Sequence, residues 1–130
     1  TNVSDLTQAV LEGVAFGLLD SLEAFEATGT RLTRLLAIGG GAQSTYWLKL
    51  IASVLNVTLE RPKDGEFGAA MGAARLAIMA HSGAASVDVL TKPEISEAIA
   101  PVNDLKEQFS STYDTFKKAY PKIKSAQISK

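Results

Sequence analysis

The run Leu35-Leu36-Ala37-Ile38, followed at once by Gly39-Gly40-Gly41-Ala42-Gln43-Ser44, leaves the backbone few choices. A short apolar segment bounded by glycine suits a buried strand. Three glycines neither continue a strand nor start a helix cheaply. They supply positive φ and a backbone without Cβ, which another group can approach closely. Ser44 is then placed to cap the following segment, its hydroxyl accepting from free N–H groups of the first turn. A strand, a glycine turn and a capped helix together make either a tight packing turn or an anion site of the phosphate-binding kind. Spacing alone leaves both readings open, because one glycine-rich turn is a weak motif.

The rest of the chain reads as the frame for that turn. Leu6, Val10, Val14, Leu18, Leu22 and Phe25 recur at helical spacing, predicting a helix over residues 5–27 with Ser4 or Asp5 as its cap and Gly29 just past its end. Ala9, Gly13 and Gly17 lie four apart on one face, which implies a close neighbour, either a helix or the sheet. A strand over 32–38 and the loop over 39–43 lead into a second helix. Its buried stripe is Trp47, Leu50, Ile51, Val54 and Leu55, and Asn56 is a left-handed stop. Val57 to Glu60 forms a second strand, Pro62 ends it, and Asp64-Gly65 turns. Strand, helix and strand in succession imply a right-handed parallel crossover, with ligands at the carboxyl ends of the strands.

A third helix over 66–80 carries Gly68-Ala69-Ala70-Met71-Gly72-Ala73-Ala74, a face of small residues fitting a close helix contact or a flat ligand. His81 falls in its last turn and reads as structural. An irregular stretch follows through Pro93 and Pro101. Asn103 then caps a final helix with the stripe Leu105, Phe109, Tyr113, Phe116 and Tyr120, stopped by Pro121. That stripe is a docking face, and residues 101–121 form a terminal docking helix on a single unit, 1–130. Lys117, Lys118, Lys122, Lys124 and Lys130 make the tail basic, a solvated surface that implies no partner, and 125–130 reads as frayed.

Composition narrows the function classes. There is no cysteine and one histidine, which argues against thiolate or zinc chemistry. A net charge of -1 argues against nucleic acid, and no apolar run is long enough for a membrane span. With 46% hydrophobic residues and no leader-like start, the expectation is a cytoplasmic globular domain.

Three segments in register resemble the FGGY carbohydrate kinases. Asp5-Leu6-Thr7-Gln8-Ala9-Val10-Leu11-Glu12 matches the back half of that family's second signature. Ile38 to Ser44, and Gly65-Glu66-Phe67-Gly68 through Ala74, are similar to its adenosine-binding segments. The Phe109, Tyr113, Phe116, Tyr120-Pro121 tail is similar to the terminal helix of the xylulokinases within it. The resemblance covers nearly the whole chain, least so over 82–101.

The resemblance implies an α/β fold, part of an actin-like, ribonuclease-H-like ATPase domain, with short parallel strands and about four helices. It implies that this chain is the later part of the C-terminal, ATP-binding domain. Gly39, Gly40, Gly41, Ala42, Gln43, Ser44 and Thr45 are then the nucleotide-binding set. Gly40 and Gly41 would meet the phosphates and ribose through backbone N–H groups, Gly39 would shape the turn, and Gly68 and Gly72 would lie behind or beside the adenine. Thr45 stands where relatives place an asparagine near the base. The implied cofactors are ATP and Mg²⁺, the metal held mainly outside this chain. The general base and the sugar pocket also belong to preceding segments, so the chain alone is expected to be non-catalytic. The implied reaction is phosphoryl transfer from ATP to a pentulose, D-xylulose to D-xylulose 5-phosphate. Glycerol, ribulose or gluconate specificity stands as an alternative, as does a stand-alone nucleotide- or protein-binding module. A dinucleotide-binding fold fits less well, for the turn lacks the Gly-x-Gly-x-x-Gly spacing. An open strand edge and uncovered apolar helix faces further predict a homo-oligomer.

Overall fold

The computed structural model describes residues 1–63, 65 and 68–128, apart from the side chains of Lys106, Gln127 and Ile128. The predicted turn residue Asp64, the helix start at Glu66 and Phe67, and the tail residues Ser129 and Lys130 lie outside the described residues. The elements run α1 (Val3–Glu26), β1 (Arg34–Leu36), a 3-10 turn (Gly40–Gln43), α2 (Thr45–Leu55), β2 (Thr58–Pro62), α3 (Gly68–Ser82), α4 (Ser86–Val89), β3 (Ile95–Ile99) and α5 (Asn103–Ile128).

The sheet order is β1-β2-β3. β1 and β2 are parallel, with Leu35 opposite Leu59 and Leu36 opposite Glu60. This is the strand–helix–strand unit expected from the sequence, although β1 is confined to Arg34–Leu36 rather than spanning 32–38. The stretch read as irregular contains β3, which pairs antiparallel with β2, placing Leu59 opposite Ile99 and Arg61 opposite Glu97. Its sequence, ISEAI, buries only Ile99, so periodicity gave little sign of a strand. Pairing with β2 decides it.

α2 lies at the centre. Leu48, Leu50, Ile51, Ala52, Ser53, Val54 and Leu55 are all buried, so the helix is covered nearly all round. Burying a side chain of valine, leucine or isoleucine size contributes roughly 1.5–3 kcal/mol. On one side, β2 and β3 supply Leu59 and Ile99; on the others, α1 supplies Ala15, Phe16 and Leu22, and α5 supplies Phe109 and Tyr113. Asn56 ends α2 with φ 53, as its left-handed tendency predicts. Ser53, fully buried, donates to the Lys49 carbonyl at 2.7 Å and accepts from the Val102 N–H at 3.0 Å. That bridge fastens α2 to the chain entering α5.

α1 is capped by Asn2 rather than Ser4 or Asp5. The Asn2 side chain accepts from the Asp5 N–H at 3.0 Å, and the Asp5 carboxylate accepts from the Asn2 N–H at 2.8 Å. This reciprocal pair is a capping box, and starting two residues early satisfies both donors. The apolar stripe read from the sequence proves to be mostly the outer one, with Leu22 its one buried member. Leu6, Val10, Val14, Leu18 and Phe25 are exposed, while Ala15, Phe16 and Leu22 are buried, with Leu11 and Leu19 packed beside them. The helix is apolar on two sides, and α2 and α5 take only one. The close neighbour expected at Gly13 and Gly17 is absent among the described residues: a Cβ at either would meet nothing within 4 Å.

α5 does dock through its aromatic stripe. Phe16 sits among Phe109, Tyr113 and Phe116 at centroid distances of 6.2, 5.8 and 5.6 Å. Tyr120 of the same stripe is exposed. Pro121 does not stop the helix, which continues through it to Ile128. α3 buries none of its residues, and His81 closes its last turn as predicted.

Candidate functional site

The glycine turn leaves the carboxyl end of β1. The ladder extends past β1 by Ala37 N–H to the Glu60 carbonyl at 2.8 Å, and Gly39 N–H then donates to the Gly65 carbonyl at 3.0 Å. The turn after β1 is thereby tied to the turn after β2. Gly39 has φ 87 and ψ 177, a region only glycine enters freely. There the chain reverses into the 3-10 turn, closed by Ala42 N–H to the Gly39 carbonyl at 3.0 Å and Ser44 N–H to the Gly41 carbonyl at 3.2 Å. Ser44 caps α2 as predicted, its hydroxyl accepting from the Trp47 N–H at 3.2 Å.

The three glycines are glycines for three reasons. At Gly39 the reason is backbone conformation. A Cβ on Gly41 would stand 2.4 Å from Trp47 Cζ3 and 3.0 Å from Cε3, so its missing side chain is the space the indole occupies. Around Gly40 nothing among the described residues lies within 4 Å of such an atom, and the residue is exposed, so it offers bare backbone. The same division recurs on α3. A Cβ on Gly68 would meet Ile38 Cδ1 at 2.8 Å, whereas Gly72 faces open space. Gly41 lets the Trp47 ring lie against the turn, Gly68 lets α3 lie against Ile38, and the other glycine of each pair is unobstructed among the described residues.

Between the end of β1, the turn after β2 and α3 lies a cavity of about 460 Å³, lined by Ile38, Gly65, Gly68, Gly72, Arg75 and Lys92 among others, with no residue of the glycine turn in its wall. Of the sequence-predicted set, Ala42 is buried in the core and Gln43 is exposed. Thr45, the first residue of α2, accepts a 2.9 Å hydrogen bond from Arg61 Nη2. Arg61 was not singled out by sequence reasoning. It stands on β2 one alternation after Leu59, hence on the face covered by α2, and its Nη1 pairs with Glu97 of β3 at 3.2 Å. A charge on the covered face of a strand needs partners, and that is the signal that could have found it. No group of three or more His, Asp or Glu that could hold a metal is present among the described residues. No helix among them is long and apolar enough to cross a membrane.

Residues 1–81 match the model of the FGGY family of carbohydrate kinases, C-terminal domain. The chain belongs to that family. Among relatives, a xylulose kinase of Staphylococcus epidermidis is 34% identical over 88% of this chain and 24% of its own length. A glycerol kinase of Vibrio vulnificus is also 34% identical, over 97% of this chain and 24% of its own. The crystal structure of a xyloylose kinase from Brucella ovis superposes with a TM-score of 0.83 at 44% identity, covering 97% of this chain and 26% of that one. The chain thus spans about a quarter of the length of these FGGY relatives. Its fold is part of the actin-like ATPase architecture, as the sequence motifs implied, with five helices and a mixed three-stranded sheet among the described residues rather than parallel strands alone.

Proposed function

We propose that these residues form the nucleotide-binding part of a pentulose kinase. In the proposed reaction, the γ-phosphoryl group of ATP passes to the terminal hydroxyl of D-xylulose, giving D-xylulose 5-phosphate. The observation that carries the nucleotide reading is the unobstructed backbone at Gly40, held by the conformation of Gly39 at the carboxyl end of a parallel strand. The xylulose kinases among the relatives support the sugar. The site fits the cofactor. N–H groups at the start of the 3-10 turn and of α2 are donors suited to phosphate oxygens, and the cavity beside Gly72 accepts a flat base. ATP supplies the phosphoryl group, and Mg²⁺ neutralises charge on it. This chain's contribution is to bind and orient: Gly40 and Gly41 direct backbone donors at the phosphates, and α3 flanks the adenine through Gly72. Magnesium, the general base and the sugar pocket are assigned to parts of the protein outside these residues.

The decisive experiment is coupled phosphorylation with the full-length protein against D-xylulose, D-ribulose, glycerol and gluconate, with ATP–Mg²⁺. A kcat/KM for D-xylulose at least tenfold above the others is expected. Preference for glycerol would establish the second reading, which the glycerol kinase similarity favours.

The same reading extends to assembly. β1 is an edge strand, Leu36 is 50% and Ile38 is 56% exposed, and the outer stripe of α1 adds Leu6 and Val10. Such a surface favours self-association of the isolated chain. Light scattering at tens of micromolar is expected to give at least a dimer mass, reduced to a monomer by Leu36→Lys. A monomeric wild type refutes it.

A further inference from the structure

Arg61 ties three elements together without standing in the glycine turn. Its guanidinium, with the side chain only 20% exposed, reaches Thr45 Oγ1 on α2 at 2.9 Å and Glu97 Oε2 on β3 at 3.2 Å. Its Nε is buried with no partner among the described residues, so both bonded contacts are made by the two ends of the fork. A planar fork gripping two partners fixes their relative position in a way a flexible ammonium does not. The partner on α2 is the residue immediately after the cap Ser44, two residues past the end of the 3-10 turn. The partner on β3 faces Arg61 across the ladder.

We infer that Arg61 is a positioning residue for nucleotide binding, acting through the Thr45 hydroxyl. A threonine hydroxyl has one hydrogen and two lone pairs. With Arg61 donating to the oxygen, the hydrogen remains to be given away. Thr45 is thereby held as a donor, suited to a ring nitrogen of the base or a ribose oxygen. Glu97 holds the guanidinium in place from the other side. Arg61 itself does not touch the nucleotide. The inference rests on the nucleotide reading of the glycine turn and adds the residue that orients its last member.

The test is a titration of the full-length protein with ADP–Mg²⁺, wild type against Arg61→Met, Arg61→Lys, Thr45→Val, Thr45→Ser and the double variant Arg61→Met/Thr45→Val. Loss of one hydrogen bond corresponds to about a fivefold to tenfold rise in Kd, expected for Arg61→Met and for Thr45→Val alike. The double variant is expected to match the single ones, because both remove the same link. Thr45→Ser, which keeps the hydroxyl, is expected to stay within about twofold of wild type. Arg61→Lys is expected to behave like Arg61→Met. Retained affinity in Arg61→Lys would show that charge alone suffices and overturn the inference. So would additive losses in the double variant, or an unchanged Kd in Arg61→Met. The core variant Ile99→Val, which costs stability without touching the link, is expected to leave Kd unchanged; a rise there equal to that of Arg61→Met would reduce Arg61 to a stability effect. Should Arg61→Met fail to fold, Glu97→Gln reads the same link. A raised Kd that disappears in the Thr45→Val background supports it, and an unchanged Kd overturns it. A wild type that does not bind ADP–Mg²⁺ at millimolar concentration overturns the nucleotide reading and this inference together, whereas tight wild-type binding with an indifferent Arg61 overturns this inference alone.

Discussion

Replacing Gly41 by alanine separates the two explanations of the glycine turn. The added Cβ would lie 2.4 Å from Trp47 Cζ3 and 3.0 Å from Cε3. Carbon atoms pack at about 3.5–4.0 Å, so the indole must retreat by about 1 Å or the turn must open. Trp47 is half-buried against the core and lines, with Leu35, Leu48 and Ile51, an apolar cavity of about 320 Å³. That cavity gives the ring some room, which sets the lower end of the cost. Overpacking of this kind costs about 1–3 kcal/mol. For a chain of this length the fall in Tm is roughly 4–12 °C. Gly40→Ala meets nothing within 4 Å among the described residues, and its expected stability change is within about 0.5 kcal/mol. Gly39→Ala is strained by its φ of 87, at about 1–3 kcal/mol. Urea denaturation of these three variants and of Gly40→Val gives the stabilities, and ADP–Mg²⁺ titration of the same four gives the function. Gly41→Ala should lose stability, and Gly40→Val should lose affinity with its fold intact. A Gly41→Ala protein as stable as wild type, or a Gly40→Val protein with unaltered affinity, refutes the division of roles.

Ser53→Ala should destabilise the fold by about 1–3 kcal/mol, because the Val102 N–H is left without its acceptor at the α2–α5 junction; a denaturation midpoint matching wild type would show that water or a shifted loop replaces it. The Tyr113 phenol donates to Glu23 Oε2 at 3.0 Å, and burial, reinforced by Glu23, raises its pKa well above the ordinary value of 10.0. A raised pKa in the folded state favours the neutral phenol. Its stabilisation is therefore complete below the unfolded pKa near 10 and is lost as pH rises above it. Stability measured from pH 8 to 11 should fall less steeply for Tyr113→Phe than for wild type, and parallel curves would refute the linkage.

Local chemistry made much of the site readable. The residues from Leu35 to Ser44 announce a strand, a reversal and a capped helix, since glycine alone tolerates the φ of Gly39 and a serine hydroxyl matches free N–H groups wherever a helix begins. Asn56 and the aromatic spacing on α5 were legible for the same reason: each depends on the residue and its near neighbours. Helical periodicity of α1 was also legible, but not which of its two apolar sides is buried. That choice belongs to α2 and α5, which arrive from distant parts of the chain and cover Ala15, Phe16 and Leu22. β3 depends in the same way on the edge that β2 presents, for a strand with four exposed residues carries no burial alternation to read. Pro121 stayed inside its helix although its missing N–H favours a stop, a local rule overridden. The sequence alone thus determined where the backbone turns, where helices begin and which family the motifs resemble. Only the tertiary structure decided that Gly41 makes room for Trp47 while Gly40 stays open, and that Arg61 reaches Thr45. Those facts depend on side chains converging from separate elements, a relation that spacing along the chain does not encode.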